Sequence, residues 1–174
     1  MTDLQRALSS PRNAIIMGCA VFAALGVSLL AWGQEHQSAA LAKDAIFARK
    51  ILMDTISNNM DELETMTTSD KGVNLTEGRE HADIISVMLM AFPHLFAAET
   101  NQWKPNAERD PGRDTFASPD AFSNYADFYA KAAHASKIAY NASRAKQEGD
   151  FKKFVLELRV ACDSCHAVYL KADR

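Results

Sequence analysis

The chain has 174 residues, 48% of them hydrophobic, which is enough for one domain with a buried core and a short appendage. Its formal net charge of -3 and the absence of a dense basic patch argue against a nucleic-acid-binding protein. Only 7 Gly and 5 Pro interrupt the chain, and Val, Ile and Thr form no alternating runs. The composition therefore predicts an all-α fold.

The N-terminal segment differs from the rest of the chain. An apolar stretch from Ala14 to Trp32 carries no charge and follows the basic residues Arg6 and Arg12. At about 1.5 Å of rise per residue, it spans most of a hydrocarbon core of roughly 30 Å. It therefore predicts an export signal whose basic end stays in the cytoplasm.

This segment sets the expected organisation of the chain and its location. We predict a cytoplasmic N-terminus at 1–12, a transmembrane signal-anchor at 13–34 and a domain at 35–174. The domain would lie in the periplasm, attached to the cytoplasmic (inner) membrane. The alternative is a cleaved signal peptide, because Ala40-Leu41-Ala42 resembles a cleavage site. Cleavage near Ala42 would leave a soluble periplasmic protein.

Two helices are expected between about residues 39 and 99, because apolar residues recur there every three or four positions. The first helix runs from about 39 to 67 and the second from about 76 to 99, where Pro93 should kink it near its end. The residues on one stripe of the first helix are Ala42, Ile46, Arg49, Met53, Ile56, Met60 and Leu63.

Two further helices follow a polar loop. Ser118 caps the third helix, with Pro119 at its first helical position, and this helix continues to about 147. Gly149-Asp150 then ends the third helix and caps the fourth. The fourth helix leads directly into the C-terminal motif.

That motif is Cys-x-x-Cys-His, formed by Cys162, Cys165 and His166. Its alternatives are a structural disulfide, a thioredoxin-type dithiol or half a zinc site. A dithiol motif needs a βαβ context, and a zinc site needs a second ligand pair, whereas the only other cysteine is Cys19 in the apolar segment. Two cysteines three positions apart can each add to one haem vinyl group, and the adjacent histidine can bind the iron. The motif therefore favours a c-type cytochrome with one covalently attached haem c.

These features together resemble the cytochrome c′ superfamily, the class II c-type cytochromes, over about residues 40–170. The resemblance rests on the C-terminal haem motif, the aromatic Tyr169 after it, and the Ala48-Arg49 step with Met53 one turn later. Family members often carry a basic residue directly after that aromatic. Here Leu170 comes first and a lysine follows it.

The resemblance implies an all-α, antiparallel four-helix bundle with covalently attached haem, preceded here by a single N-terminal transmembrane helix. By the same resemblance, Cys162 and Cys165 hold the haem, and His166 is the proximal axial ligand. Met53 is then the distal axial ligand, and Arg49 contacts a haem propionate. Because positions 49 and 53 are four apart, their side chains lie adjacent on one helix face.

Other interpretations stay open for the distal position. A Met at core spacing is more often a packing residue than a ligand. Met60 lies on the same face two turns after Met53 and is the next candidate ligand. His81 and His94 could form a bis-His site in principle, but both are better explained as surface or core histidines.

The expected function is a membrane-tethered periplasmic electron carrier that passes single electrons through a His/Met-ligated haem. Its partners would be redox proteins of a respiratory or photosynthetic chain, and a homodimer is left open. We do not expect an enzyme, because no Ser/His/Asp set, carboxylate pair or Gly-rich phosphate loop occurs at a meaningful spacing. The alternative is a five-coordinate haem protein that binds nitric oxide or carbon monoxide. A third interpretation is a structural subunit of a larger membrane complex.

Overall fold

A computed structural model of the chain describes residues 41–103 and 116–171. Within these ranges it contains helices and no strand, which confirms the all-α prediction for this part of the chain. The four long helices are α1 (41–68), α2 (Leu75–Ala91), α3 (Tyr125–Ser143) and α4 (Glu148–Tyr169). The short elements are 3-10 turns at Phe92–Leu95 and Ala98–Thr100 and a one-turn helix at Asp120–Ser123.

The predicted location at the inner membrane is corrected by this structure. Among the helices that it describes, none is long and apolar enough to cross a membrane. The physical reason is that charged side chains recur along the exposed side of each long helix. The predicted N-terminus at 1–12 and signal-anchor at 13–34, on which that location rested, lie outside the described residues.

Neighbouring helices run antiparallel, because residues late in one helix contact residues early in the next. For α1 and α2, the contacts that establish this order are Asn59–His81 and the contact of Arg49 with Leu95 in the turn after α2. For α2 and α3 they are Arg79–Ser143 and Ser86–Ser136, and for α3 and α4 they are Asp127–Tyr169 and Lys131–Ser164. An ion pair between Glu64 and Arg159 joins α1 to α4. The described helices thus form an up-down-up-down bundle.

The core of this bundle has an aliphatic part and an aromatic part. The aliphatic part takes side chains from all four helices, including Leu63, Ile85 and Leu158. The aromatic part contains Phe92, Phe96, Ala121, Phe128 and Tyr169. Its rings pack at 4.6 Å between the centroids of Phe96 and Phe128 and at 5.1 Å between those of Phe128 and Tyr169, geometries that stabilise aromatic pairs beyond their buried area.

Several helix ends differ from the sequence prediction. The third helix is predicted to continue to about 147 and Gly149-Asp150 to cap the fourth, but α3 ends at Ser143 and α4 begins at Glu148, so Gly149 and Asp150 lie in its first turn. The second helix was expected to continue to about 99, but α2 ends at Ala91. Pro93 lies in the following 3-10 turn, since proline lacks the N–H that an α-helix interior requires.

The third helix is predicted to begin at Pro119 with Ser118 as its cap, but its first turn is Asp120–Ser123 and Pro119 takes the capping position. The Oγ of Ser118 accepts a hydrogen bond from the Asp120 N–H at 3.1 Å. The predicted third helix is therefore divided: its first turn ends at Ser123, Asn124 interrupts it, and α3 begins at Tyr125.

Candidate functional site

A cavity of about 440 Å³ lies in the bundle, lined by side chains of α1, α2, α3 and α4 and of the segments beside them. Its wall is mostly apolar, with Ile56, Leu89 and Phe128 among the lining residues. All five site residues predicted from the sequence line this one cavity, namely Arg49, Met53, Cys162, Cys165 and His166.

The two cysteines and the histidine reach the cavity from α4. Cys162 packs at the edge of the aliphatic part of the core and Cys165 at the edge of the aromatic part, so the pair lies between the two. Burial raises the pKa of the Cys162 thiol to about 11, although the Arg159 cation opposes the shift, and burial also raises the pKa of Cys165. Both side chains are therefore neutral thiols at pH 7.

The imidazole of His166 is half-buried beside these thiols. Burial lowers its pKa from the usual 6.5, while the Asp163 carboxylate acts in the opposite direction. The ring is therefore neutral at pH 7, which is the form that binds a metal ion through nitrogen.

The two candidate methionines reach the same cavity from α1. Met53 is half-buried and packs at the edge of the aromatic part of the core. Met60, two turns later, is 2% exposed and belongs to the aliphatic part. The cavity thus has thioether donors on α1 and an imidazole donor on α4.

Arg49 is an unusual cation, because its guanidinium is buried and no carboxylate among the described residues lies within ion-pair distance of it. The side chain is 3% exposed. Its Nε and Nη2 donate to the carbonyl of Leu95 at 3.1 and 2.5 Å, and Nη2 also donates to Thr100 Oγ1. The guanidinium carbon lies 4.2 Å from the centre of the Phe96 ring and 5.1 Å from that of Phe122. A buried positive charge at a cavity wall, with no carboxylate partner among the described residues, favours an anionic group on whatever binds there.

The sequence matches the family model for Cytochrome C' over residues 44–170. This match covers more than half of the chain and all five predicted site residues. The chain belongs to the cytochrome c′ family. Members of this family bind haem, and membership of the family implies that the haem is of the c type.

Solved structures of the cytochrome c′ type share this fold. Cytochrome c prime from Shewanella frigidimarina is 20% identical, with 75% of this chain and 97% of that chain covered and a TM-score of 0.63. Cytochrome c' from Rubrivivax gelatinosus is 23% identical, with coverages of 74% and 96% and a TM-score of 0.62. Cytochrome c556 from R. palustris is 19% identical, with coverages of 75% and 98% and a TM-score of 0.62. None of the curated proteins matches the sequence.

The cavity of this cytochrome c′ family member fits a c-type haem in chemistry and in scale. Two thiols suit the two vinyl groups, a neutral imidazole suits the iron, and the Arg49 cation suits a propionate. Its volume also lies in the range of about 300 to 1,000 Å³ that is usual for sites of bound cofactors and small molecules.

Lys171 follows the aromatic Tyr169 by two positions, whereas the family commonly has a basic residue directly after that aromatic. The Lys171 ammonium lies 4.9 Å from the centre of the Trp103 ring. The backbone N–H of Lys171 donates to the carbonyl of Phe116 at 2.6 Å. Lys171 therefore joins the C-terminal end of α4 to the segments on either side of residues 104–115.

A further polar contact at the cavity wall has no signal in the sequence. The hydroxyl of Tyr169, a lining residue, donates to the carboxylate of Asp127 at 2.6 Å. These two residues are 42 positions apart, so neither helical spacing nor a local motif could indicate the bond. Tyr169 was identified only as an aromatic side chain that follows the haem motif.

Proposed function

We propose that this cytochrome c′ family member is an electron carrier rather than an enzyme, with haem attached covalently through Cys162 and Cys165 and its iron bound by His166 and Met53. The observation that carries the proposal is that donor side chains of α1 and α4 line one cavity. When bound, the haem would supply an iron centre that gains and loses a single electron.

Each of these side chains has a distinct part in the proposed site. The thiols of Cys162 and Cys165 would form two thioether bonds, one to each vinyl group. The neutral imidazole of His166 would bind the iron from the α4 side. The thioether of Met53 would bind it from the α1 side, and a thioether ligand raises the reduction potential relative to a nitrogen ligand.

The rest of the cavity wall supports the same function. Arg49 would form a charge-assisted hydrogen bond to a propionate, which would give its buried cation the anionic partner that the described protein residues do not supply. Ile56 and Leu89 would keep water away from the iron. A dry site lets the axial ligands and nearby charges control the reduction potential.

The partners that fit this proposal are redox proteins that exchange single electrons. A homodimer is a separate proposal for this chain. Its support is that one cytochrome c' of known structure, with a TM-score of 0.61, is described as having a ligand-controlled dimer dissociation.

The test is the optical spectrum of the dithionite-reduced holoprotein before and after carbon monoxide, in the parent and in two methionine variants. Met53→Leu should lose the sharp low-spin α band and gain a strong response to carbon monoxide. Met60→Leu is the matched control, because Met60 lines the same cavity from the same helix, and it should retain the parent spectrum. A parent protein with a broad high-spin band and a ready response to the gas would overturn the electron-carrier proposal.

A second candidate function is the binding of nitric oxide or carbon monoxide at a five-coordinate iron. The packing of Met53 against the aromatic part of the core favours it, because a methionine held by packing leaves the sixth position to a gas. In that case Met53→Leu would leave the spin state unchanged, and both the parent and the variant would bind carbon monoxide. The spectra described above thus distinguish the two functions.

A further inference from the structure

The last turn of α4 carries His166 and is anchored on its backbone. The N–H of Leu170 donates to the carbonyl of His166 at 3.0 Å. The carbonyl of Tyr169 accepts a hydrogen bond from the N–H of Ser118 at 2.7 Å, and a short bridge pairs Ala117 with Leu170. These bonds satisfy carbonyls that a helix end would otherwise leave without partners, and they fix where the turn lies.

The side chain of Tyr169 provides a second anchor for the same turn. Its ring is 3% exposed, lines the cavity with His166 and packs edge-on against Phe128 at 5.1 Å. Its hydroxyl donates to the carboxylate of Asp127 in the first turn of α3 at 2.6 Å. Because residues three apart on a helix share a face, this bond holds the face of α4 that carries His166.

We propose that Asp127 and Tyr169 form a positioning pair that fixes the orientation of the His166 imidazole toward the haem iron. The inference rests on the proposed function, since it requires His166 to be the axial ligand. The ring of Tyr169 is held on both sides, by Phe128 and by the carboxylate, so the turn between Tyr169 and His166 has little freedom to rotate. Neither residue touches the iron in this proposal, and both act through His166.

The test uses the ferric holoprotein with haem covalently attached, in Tyr169→Phe, Asp127→Ala and the double variant. The readout is the pattern of paramagnetically shifted haem methyl signals in the proton NMR spectrum, which depends on the plane of the axial imidazole. Each single variant should shift that pattern in the same sense. The double variant should shift it no further than either single variant, because both remove the same hydrogen bond.

Tyr129→Phe is the matched control, since Tyr129 is a neighbouring tyrosine of α3 whose hydroxyl lies 4.0 Å from the sulfur of Met90 instead. It should leave the methyl pattern unchanged. The proposal is overturned if both positioning variants lower stability to urea but keep the parent methyl pattern, which would indicate a structural role only. It is also overturned if Asp127→Ala shifts the pattern and Tyr169→Phe does not, because the carboxylate would then act by its charge.

The failure of this inference can be told apart from failure of the proposed function. Intact mass shows whether haem is attached, and His166→Ala shows whether His166 binds the iron, both independently of the positioning variants. Suppose that haem is attached, that iron ligation is lost in His166→Ala, and that the methyl pattern does not change in Tyr169→Phe. This result would support the proposed haem site and contradict the positioning pair.

Discussion

Gly78 lies where α2 passes over the buried ring of Phe151 on α4. A Cβ atom at this position would come within 2.6 Å of Phe151 Cζ, and the ring is 0% exposed. We expect Gly78→Ala to lower the free energy of unfolding by about 1–3 kcal/mol, because overpacking outweighs the gain in helix propensity of about 1 kcal/mol. Urea unfolding of the loaded protein measures this change.

Gly149→Ala is the control for that prediction. Gly149 lies in the first turn of α4, and a Cβ atom there would have no neighbour within 4 Å. The substitution should be neutral or stabilising by up to about 1 kcal/mol. Equal losses of stability in the two variants would show that backbone conformation, and not contact with Phe151, explains the effect at Gly78.

Tyr169 should make the stability of the protein depend on alkaline pH. Burial, reinforced by the hydrogen bond to Asp127, raises the pKa of its phenol well above the usual value of about 10. The unfolded chain therefore releases this proton at a lower pH than the folded chain does. The stabilisation is fully present below about pH 10 and is lost as the pH rises above it.

Urea unfolding of the holoprotein at a series of pH values between about 9 and about 11 tests this expectation. Tyr169→Phe should give a flatter decline of unfolding free energy across the series than the parent. Its stability below about pH 9 should be lower by about 1–3 kcal/mol, because the partly buried hydrogen bond to a carboxylate is lost. Parallel declines in the two proteins would assign the alkaline instability to other groups.

At the scale of elements, apolar periodicity is sufficient to predict each of the four helices but not their ends. The stripe that begins at Ala42 predicted α1, and its positions 49, 53, 56 and 60 all line the cavity. Pro93 explains why α2 stops near Ala91, but the Phe92–Leu95 turn after it also packs into the aromatic part of the core. That packing joins residues far apart in the chain, which the spacing of apolar residues along one helix does not indicate.

The same distinction holds within the candidate site. Cys162, Cys165 and His166 follow from one short motif, and Met53 follows from helical spacing together with the family resemblance. The hydrogen bonds from Arg49 to Leu95 span 46 positions. No local pattern predicts a partner at that separation, so sequence analysis assigned Arg49 a propionate but not the carbonyl that holds it. Its contact with a propionate stays a prediction.

Arg49 should be the residue that fixes the segment after α2 against α1. We expect Arg49→Lys to lower the free energy of unfolding by about 2–4 kcal/mol, because lysine keeps the charge but loses the paired donors and the stacking on Phe96. Arg79→Lys is the control, since Arg79 donates from Nε to the carbonyl of Ser143 at 2.8 Å, away from the cavity. It should cost about 1 kcal/mol or less. Similar losses in both would contradict a special role for Arg49.

Within the described bundle, the cavity lies between the two parts of the core and takes its wall from both. Ile56 and Met60 of the aliphatic part and Phe92 and Phe128 of the aromatic part all line it. A ligand in this position would contact both parts at once. Haem attachment should therefore affect the packing of the entire bundle and not only the chemistry at α4.

We predict that preventing haem attachment removes most of the stability of the bundle. Without haem, the apolar wall of this partly open 440 Å³ space loses its packing partner, and about 10 kcal/mol is the upper bound of the cost, reached only by a fully closed space at about 24 cal/mol per Å³. A domain of this size has a total stability of about 5–15 kcal/mol. Helices can close part of the space, so we expect a compact helical state with loose side-chain packing.

The variant that tests this is Cys162→Ala/Cys165→Ala, compared with the parent holoprotein by circular dichroism and thermal unfolding. It should keep most of the far-UV signal, lose the near-UV signal and unfold over a broad temperature range. His166→Ala keeps both cysteines, so a covalently attached haem would still fill the cavity, and this control should unfold cooperatively. A sharp transition near that of the parent in the double variant would mean that the helices close the cavity unaided. The bundle would then pack without any cofactor in the 440 Å³ space, which would contradict the prediction.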